Sequence, residues 1–129
     1  MTEAAIGEIV KAHYHSGTYI GEVKEDRGQN YLIEVLAVIK HPLQGDLHNY
    51  GKLEDVFFHQ RKALAFHEKM NVKKAAVHSF NEQIPAYGSS LKQAVASYRQ
   101  KLEAEENEFG AASLKKLDGL EKQYYQMYY

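Results

Sequence analysis

The chain of 129 residues contains no cysteine. That absence excludes thiol nucleophiles, thiolate metal sites, disulfides and any lipid anchor carried on cysteine. An excess of either charge is also missing. There are 16 Lys and Arg against 17 Asp and Glu, a formal net charge of −1 with His neutral. No global field therefore draws the chain to nucleic acid or to an anionic membrane. The only basic lean runs from Arg61 to Lys74, where Arg61, Lys62, Lys69, Lys73 and Lys74 face a single acid, Glu68. No apolar run approaches the ~18 residues of a membrane helix, and the N-terminal MTEAAIGEIVKAHYH meets charge too early for a signal peptide. The expectation is a cytoplasmic protein without direct membrane insertion, brought to a membrane only by a partner.

Catalytic motifs are likewise absent. There is no GxGxxG, Walker loop, GxSxG elbow or HExxH. Adjacent carboxylates occur at Glu25-Asp26, Glu54-Asp55 and Glu105-Glu106, a pattern typical of solvated turns. These features predict a protein that is not an enzyme and needs no cofactor.

What is present is a change of periodicity near Pro85. Upstream, short runs alternate with the period of strands. Val10, Ala12 and Tyr14, with Ile6 before them, share one face; Tyr19, Gly21 and Val23 share another. Tyr31, Ile33, Val35, Ala37 and Ile39 make the strongest face. Turns are expected at His15-Ser16-Gly17-Thr18 and at Asp26-Arg27-Gly28-Gln29-Asn30, and Gly21 inside a strand suggests a bulge. Val56 to His59 reads as a fourth strand, and Ala63 to Phe66 as a fifth strand or a helical turn. Downstream, Leu91, Val95, Tyr98 and Leu102 form one helical face, with Ser89 or Ser90 as cap. After the polar joint Glu105-Glu106-Asn107-Glu108, a second helical pattern carries Phe109, Ala112, Leu117, Leu120, Tyr124 and Met127. The predicted class is α+β: a small SH3-like antiparallel β-barrel over residues 1–80, then a C-terminal α-helical hairpin over 81–129 packed on it. The helical stripes must cover the barrel, each other or a second copy of the chain, so a homodimer through the C-terminal helices stays open.

The most distinctive stretch runs from Ala37 to His67 and holds four of the seven histidines: His41, His48, His59 and His67. His41, Asp46, His48 and His59 offer nitrogen and oxygen ligands, which would suit a metal-dependent hydrolase. Their spacing matches no known ligand pattern, and solvated loop or strand-rim histidines are the simpler reading, so no metal is assigned. Tyr14, Tyr19, Tyr31, Phe57 and Phe58 would suit a single-strand-binding barrel, but the basic groove such sites rely on is lacking. Tyr124, Tyr125, Tyr128 and Tyr129 crowd the C-terminus and fit either docking on the barrel or a partner contact. The favoured use of the stretch is an interaction surface comprising His41, Pro42, Gly45, Asp46, His48, His59 and Arg61.

Within this stretch, His41-Pro42, Gln44-Gly45-Asp46-Leu47-His48, Asp55-Val56, Phe57-Phe58-His59 and Arg61-Lys62-Ala63-Leu64-Ala65 resemble the kinase-associated protein B family, also called kinase-associated lipoprotein B. The likeness extends to Gly7, Val10-Lys11, Tyr14, Gly17, Tyr19-Ile20-Gly21-Glu22, Ile84-Pro85 and Tyr87. The resemblance implies a small barrel followed by helices. It also implies a role in sporulation, as an accessory of a membrane sensor histidine kinase that feeds the phosphorelay. It carries no catalytic residue, and the lipidated cysteine suggested by the word lipoprotein has no counterpart in this sequence.

Overall fold

The computed structural model describes residues 4–45 and 60–129. Five antiparallel strands form one sheet: β1 (Ile9–Tyr14), β2 (Gly17–Asp26), β3 (Asn30–Lys40), β4 (Lys69–Lys73) and β5 (Val77–Ser79), in the order β4-β3-β2-β1-β5. Two helices follow, α1 (Tyr87–Ala104) and α2 (Glu108–Leu120), confirming the α+β class. β4 and β5 lie at opposite edges of the sheet, yet only the 3-10 turn Lys74–Ala76 joins them. In a flat sheet those edges would stand about 19 Å apart, whereas the four-residue step from Lys73 to Val77 reaches roughly 14 Å at most. The sheet must therefore curl. The result, among the described residues, is a small barrel open at the β4–β5 seam.

Three of the strands follow the alternation in the sequence. β1 buries Val10 and Ala12, while Ile6, expected on the same face, sits exposed in the turn before the strand. A two-residue turn, His15-Ser16, joins β1 to β2, with His15 in the left-handed region at φ 53°. β3 buries Tyr31, Ile33, Val35 and Ala37, but Ile39 breaks the expected face. The register explains this: Thr18 pairs with Lys40 and Tyr19 with Val38, so Ile39 is the extra residue of a bulge. Val38 takes the inward place and Ile39 is thrown out.

A second bulge adjoins Gly21, as the lone glycine suggested. A Cβ there would collide with Ile33 Cγ2 and lie 2.6 Å from the Glu34 carbonyl oxygen. Gly21→Ala is expected to cost about 2 kcal/mol, because backbone rather than a pliable side chain must move. Urea denaturation would show the lowered midpoint, and an unchanged midpoint would contradict this packing.

β4 and β5 do not lie where strands were expected. Ala63 to Phe66 is neither a strand nor a helix; it is irregular chain leading into a turn at Phe66 and His67. Val56 to His59 falls outside the described residues. Met70 and Val72 of β4 point inward between lysines and an asparagine, so the supposed basic lean is partly a strand with solvated outer positions.

α1 buries Leu91, Val95, Tyr98 and Leu102 against β3 and α2, as their spacing requires. Neither Ser89 nor Ser90 caps it. Pro85 disfavours helix upstream, and Ala86 is the N-cap residue, without a side-chain bond. Ser90 docks the helix instead: its hydroxyl donates to the Tyr87 carbonyl at 2.7 Å and accepts the Val38 N–H at 3.0 Å. Asn107 caps α2 through Oδ1, which accepts from the Gly110 N–H at 2.7 Å. Arg99 ties the hairpin together, bonding Asp118 at 2.6 Å and also Glu121.

The chain ends in a π turn (Glu121–Tyr125) and a 3-10 turn (Gln126–Tyr128). A continuing α-helix would place Tyr124 under Leu120. The wider π turn adds a residue per turn, so Tyr125 faces inward at 1 % exposure while Tyr124 stands at 36 %. Met127, expected on the inner stripe, is accordingly 80 % exposed. Gly88 lets this end lie against α1, since a Cβ on it would collide with the Tyr128 carbonyl oxygen.

Candidate functional site

The described parts of the distinctive stretch beyond β3, residues 41–45 and 60–65, run irregularly through the junction of sheet and helices. Buried irregular backbone cannot be left unpaired. Here the partners are side chains, and most of them are tyrosines. Ala63 N–H donates to the Tyr125 hydroxyl at 2.9 Å and Leu64 N–H to the Tyr19 hydroxyl at 3.3 Å. The Tyr87 hydroxyl donates to the Leu64 carbonyl at 2.5 Å. Gln44 N–H donates to the Tyr98 hydroxyl at 2.7 Å, and Leu43 N–H to the Ser16 hydroxyl at 2.8 Å.

The fully buried Gln44 side chain sits between the two segments. Its Nε2 donates to the carbonyls of Pro42 at 3.1 Å and Arg61 at 2.8 Å, and its Oε1 accepts the Arg61 N–H at 2.9 Å. Arg61 then donates from Nε to the Gly45 carbonyl at 2.9 Å. Residues 45 and 61 are thus clasped to each other.

His41 completes the network. It is 1 % exposed, stacked on Tyr98 with ring centroids 5.5 Å apart, and edge-on to Tyr125. Its Nδ1 lies 2.8 Å from the Pro42 carbonyl, and its Nε2 lies 2.7 Å from the Tyr125 hydroxyl. A carbonyl can only accept, so Nδ1 carries the proton and Nε2 accepts from Tyr125. Proton directions then run without conflict from Ala63 N–H to Tyr125 O–H, to His41, to Pro42. Burial lowers the His41 pKa to about 4, opposed by the Pro42 carbonyl, and burial raises that of Tyr125. At neutral pH both groups are uncharged.

This geometry revises the residue set expected from sequence. His41, Pro42 and Gly45 are buried and form the inside of the joint, not a surface. Both ring nitrogens of His41 are engaged, so it has none free for a metal. Arg61 is half-buried and holds Gly45. Asp46, His48 and His59 lie outside the described residues. Among the described residues no three His, Asp or Glu side chains are grouped so that they could hold a metal ion. Tyr19 and Tyr31, weighed as a stacking platform, belong to the core. The basic lean is dispersed further: Lys62 lies 4.6 Å from the Tyr124 ring, and Lys74 pairs with Asp26 at 2.9 Å. Among the described residues no helix is long and apolar enough to cross a membrane.

Sequence reasoning missed Gln44 as the centre of the joint. Its position in a Gly- and Pro-flanked loop signals solvent, and only a fold that closes the 60–65 segment over it supplies three backbone partners.

Comparison with known proteins places this architecture. Residues 14–125 match the family model described as Kinase associated protein B. The chain is 43 % identical over 125 residues to the Kinase-associated lipoprotein B of Bacillus subtilis (strain 168), covering 97 % of this chain and 98 % of that one. It superposes with a TM-score of 0.80 on the crystal structure of kinase-associated protein B from Bacillus cereus, at 36 % identity, covering 94 % of this chain and 97 % of that chain. With the family model spanning most of the chain and both relatives aligned nearly end to end, the chain belongs to the kinase-associated protein B family.

Proposed function

We propose that this protein is a non-enzymatic accessory factor that supports a membrane sensor histidine kinase feeding the sporulation phosphorelay, and that it acts by protein contact. The observation that carries the reading is the near-full-length similarity to two proteins whose names record an association with a kinase. The histidine-kinase type and the link to sporulation follow the family resemblance drawn from the Ala37 to His67 stretch. Contact alone suffices for such a role: a partner that binds the active state better than the inactive one raises phosphoryl flux with no chemistry of its own. In this reading the protein works in the cytoplasm and meets the membrane through the kinase.

The clasp between Gly45 and Arg61 supports a contact role for the stretch it closes, with Asp46, His48, His59 and Arg61 as contributors and His41, Pro42 and Gly45 as the internal base. The purified chain mixed with the cytoplasmic part of the kinase is expected to form a complex and raise autophosphorylation. His48→Ala and His59→Ala should each weaken the complex with Tm unchanged, and Arg61→Ala, which also removes the bond to the Gly45 carbonyl, should weaken it with a small fall in Tm. Wild-type affinity in all three variants would remove the contact assignment. Failure of the wild-type chain to bind or stimulate the kinase would remove the function itself.

A further inference from the structure

The bulge in β3 exposes Ile39 to 43 % on the outer side of the sheet. Three recesses meet at this side chain. The largest, about 510 Å³, is lined by Lys11, His13, His78, Ser79, Phe80 and Asn81, with Glu82 at its rim. A second, about 280 Å³, lies against α1 at Pro85, Ser89, Gln93 and Ser97. The third, about 140 Å³ and mostly apolar, is formed by Leu43, Ala94, Tyr98 and Lys101. Together they make a depression that borders β5, β1, the end of β3 and α1, with Ile39 between its recesses.

Its charge is one-sided. In the sheet register His78 stands opposite Lys11, His13 opposite Thr18, and Thr18 opposite Lys40, which brings the two imidazoles and two lysines into adjoining rungs. His13 and His78 meet edge-on with centroids 5.6 Å apart. Lys11, Lys40 and Lys101 have no ion-pair partner among the described residues, and Glu82 is the only carboxylate among the residues lining the three recesses. The His13 pKa is lowered by burial first and then by His78, Lys11 and Lys40, as an uncompensated cluster of cations would produce.

We propose that this depression is a docking site for an extended acidic segment of a protein partner, which lays its carboxylates on Lys11, Lys40 and the His13–His78 pair, and one apolar side chain beside Ile39. Charge complementarity selects the acidic segment. The exposed isoleucine between recesses selects a peptide over an inorganic anion, and the lining offers no fully exposed tyrosine or phenylalanine on which bases could stack, since Tyr98 is buried and Phe80 only partly exposed. The proposal rests on the reading of the chain as a protein-contact factor, and it adds a surface that borders the joint at Leu43 and Tyr98 but does not include Gly45 or Arg61.

The test is titration of the isotope-labelled chain with the synthetic peptide acetyl-Glu-Glu-Leu-Glu-Val-Glu-Glu-amide, followed by amide NMR shifts. The largest shifts are expected at Lys11, His13, Ile39, Lys40 and His78. Affinity should fall by about tenfold in Lys11→Glu/Lys40→Glu and should fall in Ile39→Asp. Absence of shifts, shifts centred elsewhere, equal binding by the lysine counterpart of the peptide, or preference for oligo-dT at the same residues would each overturn the proposal. Applied to the kinase, the double variant separates the two readings. If it binds the kinase as wild type does, the depression is not the kinase's docking site while the accessory role stands. If wild type does not bind the kinase, the accessory role falls and the peptide titration decides the depression alone.

Discussion

Tyr125→Phe is expected to be among the most destabilising single-atom changes in this protein, at about 2–6 kcal/mol. The hydroxyl accepts from Ala63 N–H at 2.9 Å and meets His41 Nε2 at 2.7 Å. Its removal leaves two buried polar groups without partners, each worth roughly 1–3 kcal/mol when orphaned. The ring remains, so almost no apolar contact is lost and the effect isolates the hydrogen bonds. Tyr124→Phe, one residue away on the exposed side, is the internal control and should stay within about 0.5 kcal/mol of wild type. Guanidinium denaturation of the two variants measures the difference. A Tyr125→Phe cost no larger than that of the control would mean that water reaches the joint and replaces the hydroxyl. Combining Tyr125→Phe with His41→Phe should cost less than the two single changes added together, because the orphaned imidazole nitrogen disappears while only Ala63 N–H stays unpaired.

Between pH 6.5 and pH 4 the protein should lose about 3 kcal/mol of stability through His41 alone. Its pKa is near 4 in the fold against 6.5 for a solvated imidazole. As pH falls below 6.5 the unfolded chain takes up this proton and the folded chain does not, so unfolding is favoured until the folded pKa is reached. The contribution is fully present above pH 6.5 and gone below about pH 4. Across that interval each pH unit removes about 1.4 kcal/mol at most. Carboxylates held low, Asp26 by Lys74 and Glu34 by His67, add their losses at lower pH, near and below their ordinary values of 3.8 and 4.5. The interval from pH 6.5 to 5 therefore reports chiefly on histidine. His13 is lowered too, but it is exposed and adds little. The unfolding free energy of wild type should follow a slope approaching one proton in that interval, and His41→Asn, though less stable overall, should flatten it. An equal slope in the variant would show that another group takes up the proton.

Both predictions concern a joint whose purpose is mechanical. Residues 41–45 and 60–65 cannot join the sheet, so tyrosines from β2, α1 and the C-terminal π turn, together with Gln44, supply the hydrogen bonds that neighbouring strands would otherwise give. This accounts for much of the tyrosine content that the sequence alone allowed to be read as an interface. Tyr125 and Tyr128 turn inward, the latter edge-on to Tyr87 with centroids 4.9 Å apart. Tyr124 and Tyr129 remain on the surface under lysines.

The elements that sequence alone determined are those whose side chains repeat with a period. Val10 and Ala12, the Tyr31 to Ala37 face, and the Leu91, Val95, Tyr98 and Leu102 stripe are all buried as their spacing requires. One apolar face can be buried in only one way by a strand or a helix. The turn at Gly28 and the bulge near Gly21 were legible for a related reason, since each residue type suits the local backbone. The family too was legible, because a long motif is a linear property. What tertiary structure decided has no period. β5 is three residues long, too short to show alternation. Ile39 was displaced by a register shift that lies at the start of β2, and Tyr125 replaced Tyr124 because a π turn changed the helical phase. The Ala37 to His67 stretch looked like a polar surface because Gln, His and Arg are solvated by default. Burying His41 and Gln44 became favourable only when backbone groups distant in sequence met every donor and acceptor they carry, a condition set in three dimensions.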